Sequence, residues 1–423
     1  MREMKDSGIS WLGKIPTYWE VKRVKHGFYR KKGEAHQDNP RVLSLARTGV
    51  KERDLSNNEG QIAESYYNYN PVDEDDLLIN PMDLYSGANC SISKTNGVIS
   101  PAYVNLRYKE GYYPDYYDYY FKIQYWLMAF FAHGKGVSFD NRWTLNADVL
   151  MNYPIIVPPY TEQIRQVDYL KRKVSLIDTV IAKKELVIEK LKEFKSSVIN
   201  EAIIKQVENG ELMPYEDFKK MHLGECIDVL TDYHSNGSYE ALAQNVTLLD
   251  EENYALMVRT LNLERNDFSE NVVYIDEHAY NFLAKSKVFG GEIIINKIGS
   301  AGKVYYMPIL GRPVSLAMNQ FLLRLKEEYD SKYVYYYLHT KYAEEQIAQR
   351  VKGAVTLTIT KNAVRSIPVL VPGLEKQKEI AKKLDDITGY IDSKCKIVSK
   401  QIEKLEEYKK SLIFEVVTGK KEV

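Results

Sequence analysis

A chain of 423 residues, 44% hydrophobic and 27% charged, has room for two or three cores and the balance of an ordinary globular protein. Its 58 basic and 58 acidic residues cancel, which argues against a protein that coats nucleic acid by bulk charge but leaves room for local basic faces. Three widely spaced cysteines, Cys90, Cys226 and Cys395, match no metal or redox spacing, so a reduced, cytoplasmic protein is expected.

In chain order, MREMKDSGISWLGKIP lacks the apolar core of a secretory signal and opens a first globular part, placed at residues 1–160. The tyrosine cluster YYPDYYDYYF (112–121) has the look of a helix face. YWLMAFFA (125–132) is too short to span a bilayer and is expected in a buried helix, so no membrane is implied. The junction IIVPPYTEQ (155–163) is a proline stop before a helical segment at 161–208. Thr161 is its expected N-cap, with Glu162 in the first turn, where the helix dipole favours a carboxylate. Leu170, Val174, Ile177, Ile181, Ile188, Leu191 and Val198 follow in a three-four rhythm that Lys184 and Lys195 interrupt. A second globular part, 209–373, carries its own cluster, YVYYYL (333–338). VLVPGLEKQ (369–377) then leads into a helical segment at 374–423. There Leu384, Ile391, Val398, Ile402, Leu405 and Leu412 keep the rhythm, and Thr388, Cys395 and Lys409 break it. Roughly four to five heptads on otherwise charged helices predict a coiled-coil seam, and each rod is roughly 65 Å long at 1.5 Å per residue.

The two halves repeat each other. IEKLKEFKSSVINEAI (188–203) and IEKLEEYKKSLIFEVV (402–417) share nine of sixteen residues. The offset of 214 also aligns Pro154 with Pro368, Gln163 with Gln377 and Asp178 with Asp392. Upstream it becomes 217, matching Arg107 with Arg324 and Lys135-Gly136 with Lys352-Gly353, and DLLIN (76–80) resembles EIIIN (292–296) at 216. Only MHLGECIDVL (221–230) stands where a second copy of the opening WLGKIP is sought. The expected class is α+β, with two similar mixed α/β heads separated by two long helices that form an antiparallel coiled coil, a pseudo-two-fold internal repeat. Leu170, Ile177, Ile188, Leu191, Leu384, Ile391, Ile402 and Leu405 form the expected helix-pair seam.

No catalytic set emerges, and no metal ligands. VPPY (157–160) lacks the Asn or Asp with which amino-methyltransferases hold an amine, and KIGSAGKV (297–304) misses the Ser or Thr of a phosphate loop. Both are better explained as a strand-to-helix break and a glycine-rich turn. The seven histidines are scattered without ligand spacing.

WLGKIPTYWEVKRVK (11–25), SPAYVNLRY (100–108), PIIVPPYTEQ and the two IEKL helices together resemble the specificity subunit of type I restriction–modification systems over nearly the whole chain. That resemblance implies two target-recognition domains on conserved helices, binding a bipartite site on double-stranded DNA. It also implies docking of two methyltransferase (M) subunits and, in the full complex, restriction (R) subunits. S-adenosylmethionine, ATP and Mg would be held by those partners, with no cofactor in this chain. Candidate DNA contacts are Lys135, Arg142, Lys297, Lys303, Lys352 and Lys361, for each of which an ordinary solvated loop is the plainer reading; Arg107 and Arg324 suit a structural role. A coiled-coil scaffold without sequence-specific DNA binding is the alternative.

Overall fold

The computed structural model describes residues 2–46, 48–55, 65–82, 84, 89–136, 143–204, 206–208, 211–213, 215 and 217–423. These form two compact units, Met1–Lys184 with Lys400–Val423, and Glu185–Ser399.

Each unit is centred on a four-stranded antiparallel sheet of the same connectivity. In the first, the order across the sheet is Phe28–Lys31, Val104–Tyr108, Leu77–Ile79, Cys90–Ile92. In the second it is Ile227–Asp232, Gln320–Leu325, Ile293–Asn296, Val304–Tyr306. The cores of DLLIN and EIIIN are the third strands, wholly buried, and an apolar run without alternation is what a strand covered on both faces needs.

The tyrosine clusters form helices Pro114–Trp126 and Ser331–Leu338, whose buried rings join the cores while their hydroxyls stay satisfied. Tyr120 donates to the Pro154 carbonyl and its counterpart Tyr337 to that of Pro368, both at 3.0 Å. YWLMAFFA is not the expected buried helix: the helix stops at Trp126, Met128 takes a positive φ, and Trp126, Leu127 and Met128 are exposed.

The repeat is most exact where head meets rod. Gln163 accepts from the Tyr113 N–H at 2.8 Å and donates to the Pro158 carbonyl at 2.8 Å. Gln377 accepts from the Asp330 N–H at 2.8 Å and donates to the Pro372 carbonyl at 2.9 Å. Both glutamines are buried, so each amide welds the proline stop to the head. Arg107 pairs with the fully buried Asp76 at 3.1 Å, and Arg324 with Glu292 at 3.3 Å, the same ion pair at repeat-equivalent positions.

The opening element does have a second copy. Met4–Asp6 pairs with Lys14–Pro16 as Gln206–Glu208 pairs with Glu211–Met213. The following turn buries Trp19 in one unit and Phe218 in the other. ELMPYEDF (211–218) is therefore the counterpart of KIPTYW (14–19), hidden because KIP and ELM share no letter and Trp19 is replaced by Phe218. MHLGEC instead matches KRVKHG (22–27), since His222 faces Pro368 as Arg23 faces Pro154.

The long helices run Tyr160–Ile203 and Leu374–Val417. Thr161 is not an N-cap but lies inside the first turn, because the Pro159 carbonyl already accepts from the N–H groups of Glu162 and Gln163. Glu162 turns inward and accepts from Tyr18 Oη at 3.0 Å and Trp19 Nε1 at 3.1 Å. In the first unit Lys409 donates to Asp178 at 2.9 Å and Lys184 to Gln401 at 2.6 Å, so the two helices run antiparallel. In the second unit Lys195 donates to Asp392 at 2.7 Å. Lys195–Asp392 and Lys409–Asp178 are repeat counterparts, a reciprocal exchange that fixes register. The lysines that interrupt the heptads thus have partners on the facing helix. Along the seam, Leu170, Ile177, Leu384 and Ile391 are buried, whereas Ile188, Leu191, Ile402 and Leu405 are half-buried.

Gln166 is buried, yet neither atom of its amide has a hydrogen-bond partner, while its repeat counterpart is the buried Ile380. Gln166→Leu is expected to stabilise the first unit by about 1 kcal/mol, since an unsatisfied buried amide is replaced by an apolar group of similar size. Thermal unfolding checks this; a lowered midpoint would contradict it.

Candidate nucleic-acid interface

In the second unit the topology gathers loops along one edge. Strands Ile227–Asp232, Ala255–Val258, Ile293–Asn296 and Val314–Leu316 end there, and Val304–Tyr306 and Gln320–Leu325 begin there. The second four-stranded sheet, ordered Val273–Ile275, Ala255–Val258, Val314–Leu316, Lys287–Val288, brings two of these strand ends. Among the described residues the first unit has two two-stranded ladders outside its main sheet in this part of the chain, Leu43–Ala46 with Gly49–Glu52 and Asn70–Val72 with Gly97–Ile99.

KIGSAGK forms the turn from Asn296 to Val304, with Gly299 and Gly302 at positive φ. A Cβ on Gly302 would meet Ile347 at 2.5 Å, so glycine is required there for packing as well as for φ. The turn is pinned on both sides: the Lys297 N–H donates to the Asn319 carbonyl at 2.7 Å, and the Ile359 N–H to the Lys297 carbonyl at 3.0 Å. Beside it, Lys352 and Thr358 exchange backbone hydrogen bonds of 2.8 and 2.7 Å, closing a hairpin whose tip residue Val355 is 98% exposed.

Four of the candidate lysines therefore share one edge. Lys297 donates to Asp232 Oδ2 at 3.0 Å, and Lys361 reaches Asp232 Oδ1 at 3.4 Å and Ser235 Oγ at 3.1 Å. Lys303 pairs with Glu264 at 3.0 Å, and Lys352 is exposed on the hairpin. Lys135 is exposed in the first unit, on a matching ladder in which it exchanges backbone bonds of 2.9 Å with Thr144. Arg142 lies outside the described residues.

Sequence reasoning missed Asp232. It is 7% exposed at the end of its strand, with Ser235 also donating to it. Burial pushes its carboxyl up, but the hydrogen bonds from Ser235 and Lys297 and the charges of Lys297 and Lys361 outweigh that and hold it below the usual carboxylate range. The signal was an acid followed by a polar turn, DYHSNGS (232–238), which any strand end could carry. Arg259, Thr260 and Asn319 were missed likewise; they line an open cleft of about 490 Å³ with Tyr239, Leu248 and Met318 exposed around it.

Among the described residues no group of three His, Cys, Asp or Glu is placed to hold a metal ion, and no helix is long and apolar enough to cross a membrane. Burial pushes the Cys226 thiol up to about 11 and the Cys90 thiol up as well, away from nucleophilic character.

The model of the type I restriction modification DNA specificity domain matches residues 216–407. The MjaVIII type I restriction enzyme specificity subunit of Methanocaldococcus jannaschii is 24% identical over 368 residues, 82% of this chain and 80% of that one. The EcoBI specificity subunit of Escherichia coli is 21% identical, over 99% of this chain and 89% of its own. A chain from a structural study of assembly and conformational transition in the type I R-M system superposes with a TM-score of 0.68 at 15% identity, covering 95% of this chain and 98% of that one. Together with the duplicated head-and-rod plan, these likenesses support reading the chain as similar over most of its length to the specificity subunits of type I restriction–modification systems.

Proposed function

We propose that the chain reads a bipartite DNA site, one head per half-site, and docks the methyltransferase and restriction subunits without catalysing a reaction itself. The observation that carries this reading is a constant frame with a variable edge. The glutamine weld, the arginine paired with a buried acid and the reciprocal lysine–aspartate contacts recur in both halves. The loop edge does not: Asp232, Lys297 and Lys361 of the second unit correspond to Lys32, Pro81 and Ala147 of the first. A shared frame suits partners that grip both halves alike, and unlike edges suit two different half-sites. The rods would then set the spacer between half-sites. S-adenosylmethionine, ATP and Mg would belong to the partner subunits.

Lysines on the edge would supply affinity through phosphates, and base-edge contacts the selectivity. The chain assembled with its methyltransferase partner is expected to bind one split sequence. For about six to ten phosphate contacts, affinity falls about 10³- to 10⁵-fold between 50 and 200 mM salt. Fluorescence anisotropy over a salt series measures this. Assembly with the partner but no sequence-selective DNA binding would favour a scaffold instead.

A further inference from the structure

We infer that Lys297 and Lys361, held by Asp232, read the major-groove edge of a guanine in the half-site of the second unit. This rests on the DNA-reading function proposed above and assigns two of its base contacts.

The cluster is built to aim two donors side by side. The two carboxylate oxygens of Asp232 take one lysine each, Lys297 on Oδ2 and Lys361 on Oδ1. Both ammonium groups also lie over the ring of buried Phe321, at 5.6 and 5.9 Å from its centroid. The backbones are fixed as well: Lys297 is pinned within its turn, and Lys361 opens a helix capped by Thr360, whose side chain accepts from the Ala363 N–H. An ammonium has three donors, and these contacts use one on Lys297 and two on Lys361. Both side chains remain partly exposed, at 28 and 35%, so the unused donors can face outward. Guanine is the base with two adjacent major-groove acceptors, N7 and O6.

Two features favour a base over a phosphate. Backbone contacts carry no sequence information, so they suit both heads equally, yet the first head has Lys32, Pro81 and Ala147 at these places. The fold therefore does not require the cluster. Asp232 also cancels one of the two positive charges, which weakens attraction to a phosphate while keeping the donors oriented.

The test uses the chain assembled with its methyltransferase subunits and a competition library of split-site duplexes at fixed salt. The unaltered complex must first yield a two-part consensus; if it yields none, the DNA-reading function itself fails. Given that consensus, Lys297→Met and Lys361→Met are each expected to lose preference for guanine at one position of one half-site by about 10- to 100-fold, leaving the other half-site unchanged. Asp232→Asn should relax the same position, because it frees the lysines. Lys303→Met, at an edge lysine suited to a phosphate, should lower affinity alike for all sequences and leave that position of the consensus unchanged. A uniform loss across all sequences, with the salt slope reduced by about one per lysine, would assign these residues to phosphate and overturn the inference. So would an unchanged consensus in both lysine variants.

Discussion

Leu384→Asp is expected to lower the melting midpoint of the second unit by about 10 °C. Leu384 is 1% exposed in the second long helix and packs in the same core as Ile199, Ile203, Tyr333, Tyr337 and Ile380. An aspartate there would enter an apolar core, so the cost combines lost packing with the burial of a charge. That amounts to about 4 kcal/mol or more, and each kcal/mol shifts the midpoint by about 2–4 °C in a unit of this size. Ile387, one turn along the same helix, is 41% exposed, and Ile387→Asp should move the midpoint hardly at all. Leu191→Asp falls between, because that position is half-buried and a carboxylate can turn to water. Calorimetry on the three classes decides the matter. Equal effects for Leu384→Asp and Ile387→Asp would show that helix-to-head packing does not hold this unit together.

The ordering of those three effects is also a measure of what the sequence could convey. Periodicity identified both rods, since a seam repeating every three or four residues survives averaging over more than forty positions. It could not grade the seam, because Leu384 and Leu405 occupy the same kind of heptad position. Whether a head lies over the position depends on tertiary packing. Duplication found the frame, as Gln163 with Gln377 and Arg107 with Arg324 fall at steady offsets, and the hydrogen bonds give both pairs their reason. The opening element escaped because KIP became ELM and Trp19 became Phe218, changes that preserve the strand pair and the burial while erasing the letter match. Polar sites were least legible. Lys297 and Lys361 were candidates only as isolated cations, and nothing in a linear chain indicates that Asp232, more than sixty residues before the first, would hold both. Such convergence is set by strand order, which periodicity does not encode.

The arginine–acid pair gives the second large effect. Arg324→Met is expected to destabilise the second unit by about 3 kcal/mol, because it leaves the carboxylate of Glu292, 4% exposed, without its cation. The carbonyl of Lys287, which also accepts from Arg324, loses that donor. The N–H groups of Phe289 and Gly290 still donate to Glu292, at 2.9 and 2.7 Å, so the acid stays anchored where it is rather than swinging to solvent. If the cost is mainly the stranded charge, neutralising it should return stability. Arg324→Met with Glu292→Gln is expected to recover about half of the loss, as the amide oxygen keeps an acceptor for one backbone donor. The same reasoning applies to Arg107 and Asp76, but Lys31 lies 3.1 Å from that carboxylate and remains when the arginine is removed. Arg107→Met should therefore cost less than Arg324→Met, although the two arginines are repeat counterparts. Urea unfolding of the two single variants and the double variant measures all three quantities. A double variant no more stable than Arg324→Met, or a larger loss from Arg107→Met, would mean that the arginines act through packing rather than by balancing a buried charge.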